Sequence, residues 1–123
     1  KDLPIGENLV VGKEYSEKPV SFNGYYKYIP QGTDSLVFLV ALTKYNQIEN
    51  RRDTIAQADL ASGETVSEYT PFVLFFEYYS QETPDSIHVI LMSSINGREM
   101  KGYDGTLLIV DELSLSFEWW ERL

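Results

Sequence analysis

The residues whose type and spacing point to chemistry are aromatic. The chain holds nine tyrosines, six phenylalanines and two tryptophans. Tyr25, Tyr26 and Tyr28 share one short segment, Tyr78 and Tyr79 end another, and Trp119-Trp120 lie near the C-terminus. Sugars present flat C–H faces that stack on such rings, while polar neighbours read the hydroxyls around the rim. Successive side chains of a strand point to opposite faces, so Tyr25 and Lys27 are expected on one face and Tyr26 and Tyr28 on the other. The candidate glycan-binding residues are therefore Tyr25, Lys27, Tyr79 and Trp119. The plainer alternative is that β-sandwich cores and rims use tyrosine freely. The tryptophan pair would equally cover a sheet edge or dock on a neighbouring segment.

Catalytic signals are weak by comparison. The single histidine, His88, stands opposite in parity to Ile87, Val89 and Leu91, as a histidine at a sheet surface would. No GxSxG, HExxH or phosphate-loop pattern occurs. A glycosidase needs two carboxylates across a cleft. With nineteen acidic residues in the chain, a pair can always be drawn and carries little information. For metal, EF-hand spacing is missing. Asp111 and Glu112 are the candidate ligands. If the alternation Leu113, Leu115, Phe117 extends backwards, Asp111 shares the inward face, where a carboxylate must be paired, hydrogen-bonded or bound to a cation such as calcium. A bulge that turns Asp111 outward, or backbone amides that satisfy it, would serve instead.

Composition bounds the remaining choices. The 123 residues fit one domain, expected to span 1–123 as a single β-sandwich. Hydrophobic residues at 43% and charged residues at 24% are ordinary globular values. Ten basic against nineteen acidic side chains give a net charge of −9, which disfavours nucleic acid as a partner. There is no cysteine, hence no disulfide and no thiolate site. The longest apolar runs, 36–42 and 71–76, are too short for a membrane helix. The sequence starts at Lys1 with no leader pattern, as a mature form or a piece of a longer protein would.

Strand signals dominate the pass along the chain. Residues 19–29, 35–44, 71–79, 86–93, 106–110 and 113–119 read as strands. Residues 52–61 accept either helix or strand. The run 35–44 is apolar on both faces, as a central strand covered on both sides would be. Pro71 is expected to open its strand, since proline starts a ladder but does not continue one. Turn signals fall at 31–34, 81–85 and Asn96-Gly97. Seven or so short strands with no helix for parallel crossovers predict an all-β antiparallel sandwich or barrel.

The ordered segments Gly24 to Tyr28, Tyr69 to Phe72, Pro84-Asp85, Ser93-Ser94 and Gly105 to Leu115 resemble the putative carbohydrate metabolism domain family (PCMD) of bacterial cell-surface and secreted proteins, over roughly residues 12–118. The resemblance implies a jelly-roll sandwich like galactose-binding and carbohydrate-binding modules, and an extracytoplasmic setting. It also implies a place at the C-terminal end of a larger surface protein, beside its other domains. Asp111 matches the aspartate that binds structural calcium in several such sandwiches. The expected function is a non-catalytic glycan-binding module. The alternatives are a structural or adhesion module contacting other proteins, and a small glycoside hydrolase using an acidic pair.

Overall fold

The computed structural model describes residues 9–94 and 105–118. Eight strands make up the fold: β1 (Leu9–Glu14), β2 (Ser21–Ile29), β3 (Leu36–Asn46), β4 (Arg51–Ser62), β5 (Val66–Phe75), β6 (Glu77–Tyr78), β7 (Ser86–Met92) and β8 (Leu107–Ser116). They form a five-stranded sheet, order β1-β7-β3-β4-β6, and a three-stranded sheet, order β5-β2-β8. Every pairing is antiparallel. The expected all-β sandwich is thus present, and the ambiguous segment 52–61 is strand β4. Among the described residues no helix is long and apolar enough to cross a membrane.

Alternation explains how the sheets meet. In β3, Leu36, Phe38, Val40 and Leu42 are buried, and Val37, Leu39 and Ala41 lie half-buried on the opposite face. The apolar character of both faces fits the central place of β3, between β7 and β4. From the smaller sheet, Phe22, Tyr28, Phe72, Leu108 and Val110 enter the same core. The Phe38 ring lies 5.2 Å from that of Phe72, and the Tyr26 ring lies 5.9 Å from Phe38 and 5.8 Å from Phe72. Such tilted and edge contacts each add about 0.5–1.5 kcal/mol beyond the area they bury. This aromatic cluster fixes the smaller sheet on the larger.

Two expectations from the sequence are corrected by the pairing. Pro71 does not open a strand. It sits in the middle of β5, opposite Tyr25, and is tolerated because β5 is an edge strand whose second side needs no ladder bond. The segments 106–110 and 113–119 are one strand, β8, interrupted by a bulge. Tyr25 faces Asp111 while Asn23 faces Ser114, so Glu112 and Leu113 together oppose Gly24. Glu112 takes the extra residue in left-handed conformation (φ 53). The bulge reverses parity. Asp111 stands on the outer face with Tyr25 instead of the inward face with Leu115. Gly24 makes room for the bulge, since a Cβ there would lie 2.9 Å from Leu113 Cδ2 and 2.9 Å from Phe72 Cζ.

Among the described residues one carboxylate is buried in the interior. Asp34, in the β2–β3 turn, accepts hydrogen bonds from Ser94 Oγ and from Thr106 Oγ1 (2.7 Å). It ties the ends of β7 and β8 to that turn. Nearby, Tyr28 OH donates to Ser93 O (2.7 Å). Burial, with the Asp34 charge adding to it, pushes the Tyr28 hydroxyl up to about 12.

Candidate functional site

The outer face of the three-stranded sheet is built from one parity of each strand. Tyr25 and Lys27 project from the central strand β2 on this face, and Tyr26 and Tyr28 project into the core, as the alternation predicts. On β5, Phe75, Val73 and Pro71 oppose Ser21, Asn23 and Tyr25 and therefore share the face. Tyr69 joins them, because the Lys27 ammonium lies 4.6 Å from the centre of its ring. On β8, Asp111 and Ser114 oppose Tyr25 and Asn23. Tyr25 is 41% exposed, Tyr69 43% and Phe75 58%.

The strands hold these rings on a stiff backing. Tyr26, between Tyr25 and Lys27 in sequence, packs on Phe38 and Phe72 below. At the Phe75 end, Ser21 Oγ donates to Asn23 Oδ1 (2.9 Å) and Asn23 Nδ2 donates to Ser116 Oγ (2.9 Å), all three residues being buried. These bonds couple β2 to β8 through side chains as well as backbone. The arrangement presents apolar ring faces along β5 and β2 and polar groups along β8, a surface suited to flat ligands with one apolar side.

The other sequence-derived candidates fall elsewhere. Tyr79 follows β6 at the edge of the five-stranded sheet, where its N–H donates to Ile55 O (2.8 Å). It is 55% exposed but belongs to a different sheet from Tyr25 and Lys27, so the structure does not assemble these three into one site. Trp119 and the Asn96-Gly97 turn lie outside the described residues. Asp111 Oδ1 accepts from the N–H of Glu112 (2.8 Å), and the Glu112 side chain is exposed in the bulge. Among the described residues no group of three or more histidine, aspartate or glutamate side chains is placed to hold a metal ion. Calcium at Asp111 and Glu112 rests on the resemblance alone. Tyr69, Pro71 and Phe75 were missed. Their signal was the odd-numbered spacing 69, 71, 73, 75 in a segment apolar on both faces. Only strand order shows that its odd face is the outer one.

A concave surface lies at one end of the five-stranded sheet. A cleft of about 660 Å³ is lined by Lys44, Tyr45, Asn46, Ile48, Glu82 and Asp85, with Gln47 and Asp53. The β3–β4 turn that forms one wall is held by Asn46 Oδ1, which accepts from the N–H groups of Ile48 and Glu49 (3.0 Å each), and by Asn50 in left-handed conformation (φ 55). Asp85 accepts from Arg52 Nη1 (2.6 Å), Tyr45 N–H (2.9 Å) and Ser86 Oγ (2.9 Å). These bonds, Arg52 foremost, lower its carboxyl to about 2. Asp53 is likewise lowered, first by the Asn46 amide and then by Arg51. Lys44 pairs with Glu82 at 3.1 Å. His88 projects on the outer face of the five-stranded sheet. Its Nε2 lies 3.1 Å from Thr43 Oγ1, which also accepts from Arg52.

No protein-family model matches the chain. No curated protein matches it either. Solved structures share its fold, two of them as follows. A putative glycoside hydrolase from Bacteroides thetaiotaomicron aligns at a TM-score of 0.69 and 17% identity, over 89% of this chain and 41% of that one. A putative glycoside hydrolase from Bacteroides vulgatus aligns at a TM-score of 0.70 and 20% identity, over 89% of this chain and 56% of that one. The chain thus spans about half the length of the solved structures it matches. At these identities the likeness is one of fold: the two-sheet antiparallel sandwich is shared with one part of larger proteins.

Proposed function

We propose that this domain is a non-catalytic glycan-binding module of a bacterial cell-surface or secreted protein, with the outer face of the three-stranded sheet as its binding surface. The observation that carries the reading is the set Tyr25, Tyr69 and Lys27. It consists of two partly exposed rings and an ammonium fixed on adjacent strands of a sheet whose other side is the aromatic core. The reading keeps the resemblance to the PCMD family and its extracytoplasmic setting. It also agrees with the naming of the two fold neighbours as putative glycoside hydrolases. A fold by itself carries no function, so the weight lies on the rings.

A glycosidase reading finds less support. A general acid for glycoside cleavage has a raised carboxyl pKa. In the cleft, Asp85 and Asp53 are both held ionised by their donors.

The test is a glycan-array screen of the purified chain, with calcium and with chelator, beside the double variant Tyr25→Ala/Tyr69→Ala. Binding to a defined glycan class that falls at least tenfold in the double variant, with folding unchanged by circular dichroism, is expected. Binding that disappears with chelator would add calcium at Asp111 to the reading. No binding in any arm would overturn it and leave the structural or adhesion reading in its place.

A further inference from the structure

The Tyr69 ring of the proposed binding set is in contact with a cation of its own domain. We infer that Lys27 is a built-in occupant of that ring, which a stacking glycan must displace. Ammonium and sugar compete for Tyr69, and a ligand binds across both rings only if it gains more than the contact it breaks. The inference rests on the glycan-binding reading above and concerns the regulation of that same surface.

Three observations carry it. First, the β2–β5 ladder brings the pair together. It runs one to one from Ser21 opposite Phe75 to Tyr26 opposite Thr70, and resumes with Tyr28 opposite Val66. Residues 67–69 therefore stand against Lys27 alone, and this irregularity seats the Tyr69 ring with its centre 4.6 Å from the Lys27 ammonium. Second, the ammonium covers the side of the ring that a ligand would use. Tyr25 and Lys27 are successive outward residues of β2, about 6.8 Å apart along the strand. Lys27 reaches Tyr69 from β2, so it lies against the side of the ring turned toward Tyr25. A sugar chain resting on both rings meets that same side. Tyr25 at 41% and Tyr69 at 43% exposure keep surface for such a contact. Third, the hold is weak enough to yield. Among the described residues the Lys27 ammonium makes no hydrogen bond or ion pair, and the Tyr69 ring is what it touches. An exposed cation–π contact corresponds to roughly a two- to fivefold change in an equilibrium constant. A carboxylate partner would fix Lys27 in a charged pair, whereas a ring releases it to water, where a compact ammonium is strongly hydrated. A ligand that touches Tyr25 alone leaves Lys27 in place.

The experiment uses the whole chain with isotope-labelled lysine side chains, followed by NMR and isothermal titration. The probes are cellohexaose, xylohexaose and the oligosaccharide that binds most tightly on the array. The Lys27 signal is the one missing from the Lys27→Gln spectrum. In the unliganded protein its Cε protons are expected upfield of the other lysines, shifted by the Tyr69 ring current. At saturation with a probe that binds, they are expected to return to the ordinary lysine position. Lys27→Gln, which cannot hold the ring as a cation, is expected to bind that probe about two- to fivefold more tightly than the native chain. Lys27→Arg is expected to bind it at least twofold more weakly, because a planar guanidinium stacks more firmly on an aromatic face. A Lys27 that merely supported the fold would weaken binding in both variants, and one that bonded the sugar directly would weaken it in Lys27→Gln. Either result would overturn this inference while leaving the glycan-binding reading standing. So would Lys27 protons that stay upfield at saturation, or that show no upfield shift in the free protein. Binding to no probe and no array glycan would overturn both.

Discussion

The outer face of the three-stranded sheet and the cleft at the β3–β4 turn treat their functional groups in opposite ways. In the cleft the polar groups bind one another. Asp85 is satisfied by Arg52, Tyr45 and Ser86, Asp53 by Asn46 and Arg51, and Glu82 by Lys44. These bonds hold a turn in shape, and those to Asp85 and Asp53 hold the two carboxyls below the ordinary value. On the sheet face Ser21, Asn23 and Ser116 bond one another and Asp111 accepts from the Glu112 N–H, while the rings of Tyr25 and Phe75 present exposed surface. On the proposed reading, concavity is a poor guide to the binding surface. The better guide is which groups the fold leaves in water after its own bonds are made.

The comparison breaks most visibly if the backing of the sheet face is removed. Phe72 is buried and touches the rings of Phe22, Tyr26 and Phe38. Phe72→Ala is expected to cost about 3–5 kcal/mol of stability, read from urea unfolding. Glycan binding is expected to fall with it, because Tyr26 and hence Tyr25 lose their support. Gly24→Ala follows at about 1–3 kcal/mol, since the added methyl meets the Phe72 ring and Leu113 at 2.9 Å. A value near zero would show that the β8 bulge gives way easily. Tyr25→Ala, by contrast, is expected to leave stability within about 0.5 kcal/mol while reducing binding, the pattern of an exposed residue that serves a ligand.

The cleft is probed by acid. Asp85 has a folded carboxyl at about 2, below the ordinary value of about 3.9 for a free aspartate. A depressed folded pKa contributes stability that is fully present above the unfolded value and is lost as pH falls through the folded one. Thermal midpoints of the native chain are therefore expected to drop between pH about 4 and 2. Asp85→Asn should remove part of that slope and lower the midpoint at pH 7. Glycan binding at pH 7 is expected to be unchanged in the variant. Lost binding would move the functional surface to the cleft.

Much of this could be read from the residues, and most of the rest depends on strand order. Alternation alone separates Tyr25 and Lys27 from Tyr26 and Tyr28, and places His88 away from Ile87 and Leu91. Those statements concern one strand at a time. Which strands neighbour each other is set by long-range pairing, and three placements depend on it. Tyr79 falls on another sheet from Tyr25, Pro71 lies inside an edge strand instead of opening one, and Tyr69 and Phe75 face outward. The placement of Asp111 is decided locally. A period-two pattern propagates only through unbroken strand, and of the alternatives the sequence leaves open for Asp111 the bulge at Glu112 is the one the strand adopts.

That residue offers the finest test of the sheet face. Glu112 pays for its left-handed backbone with a Cβ clash worth roughly 1–2 kcal/mol, which glycine lacks. Glycine in turn loses more backbone freedom on folding, by roughly 0.5–1 kcal/mol. The two nearly offset, so Glu112→Gly is expected to stabilise the domain by up to about 1 kcal/mol. The bulge survives, Asp111 keeps the Glu112 N–H bond through the backbone, and the outward register of the face is preserved. Binding of a neutral glycan should then be unchanged or slightly improved by the loss of one negative charge at the rim. Deleting residue 112 is the contrasting change. It leaves Leu113 alone opposite Gly24, so alternation becomes regular while Asp111 stays outward opposite Tyr25, and it removes the Glu112 N–H that Asp111 accepts from. Stability measured by urea unfolding should rise slightly in the first variant and fall by about 1 kcal/mol in the second, with the loss of that bond. A sharp loss on deletion would mean that the extra twist supplied by the bulge is needed to seat β8 on β2.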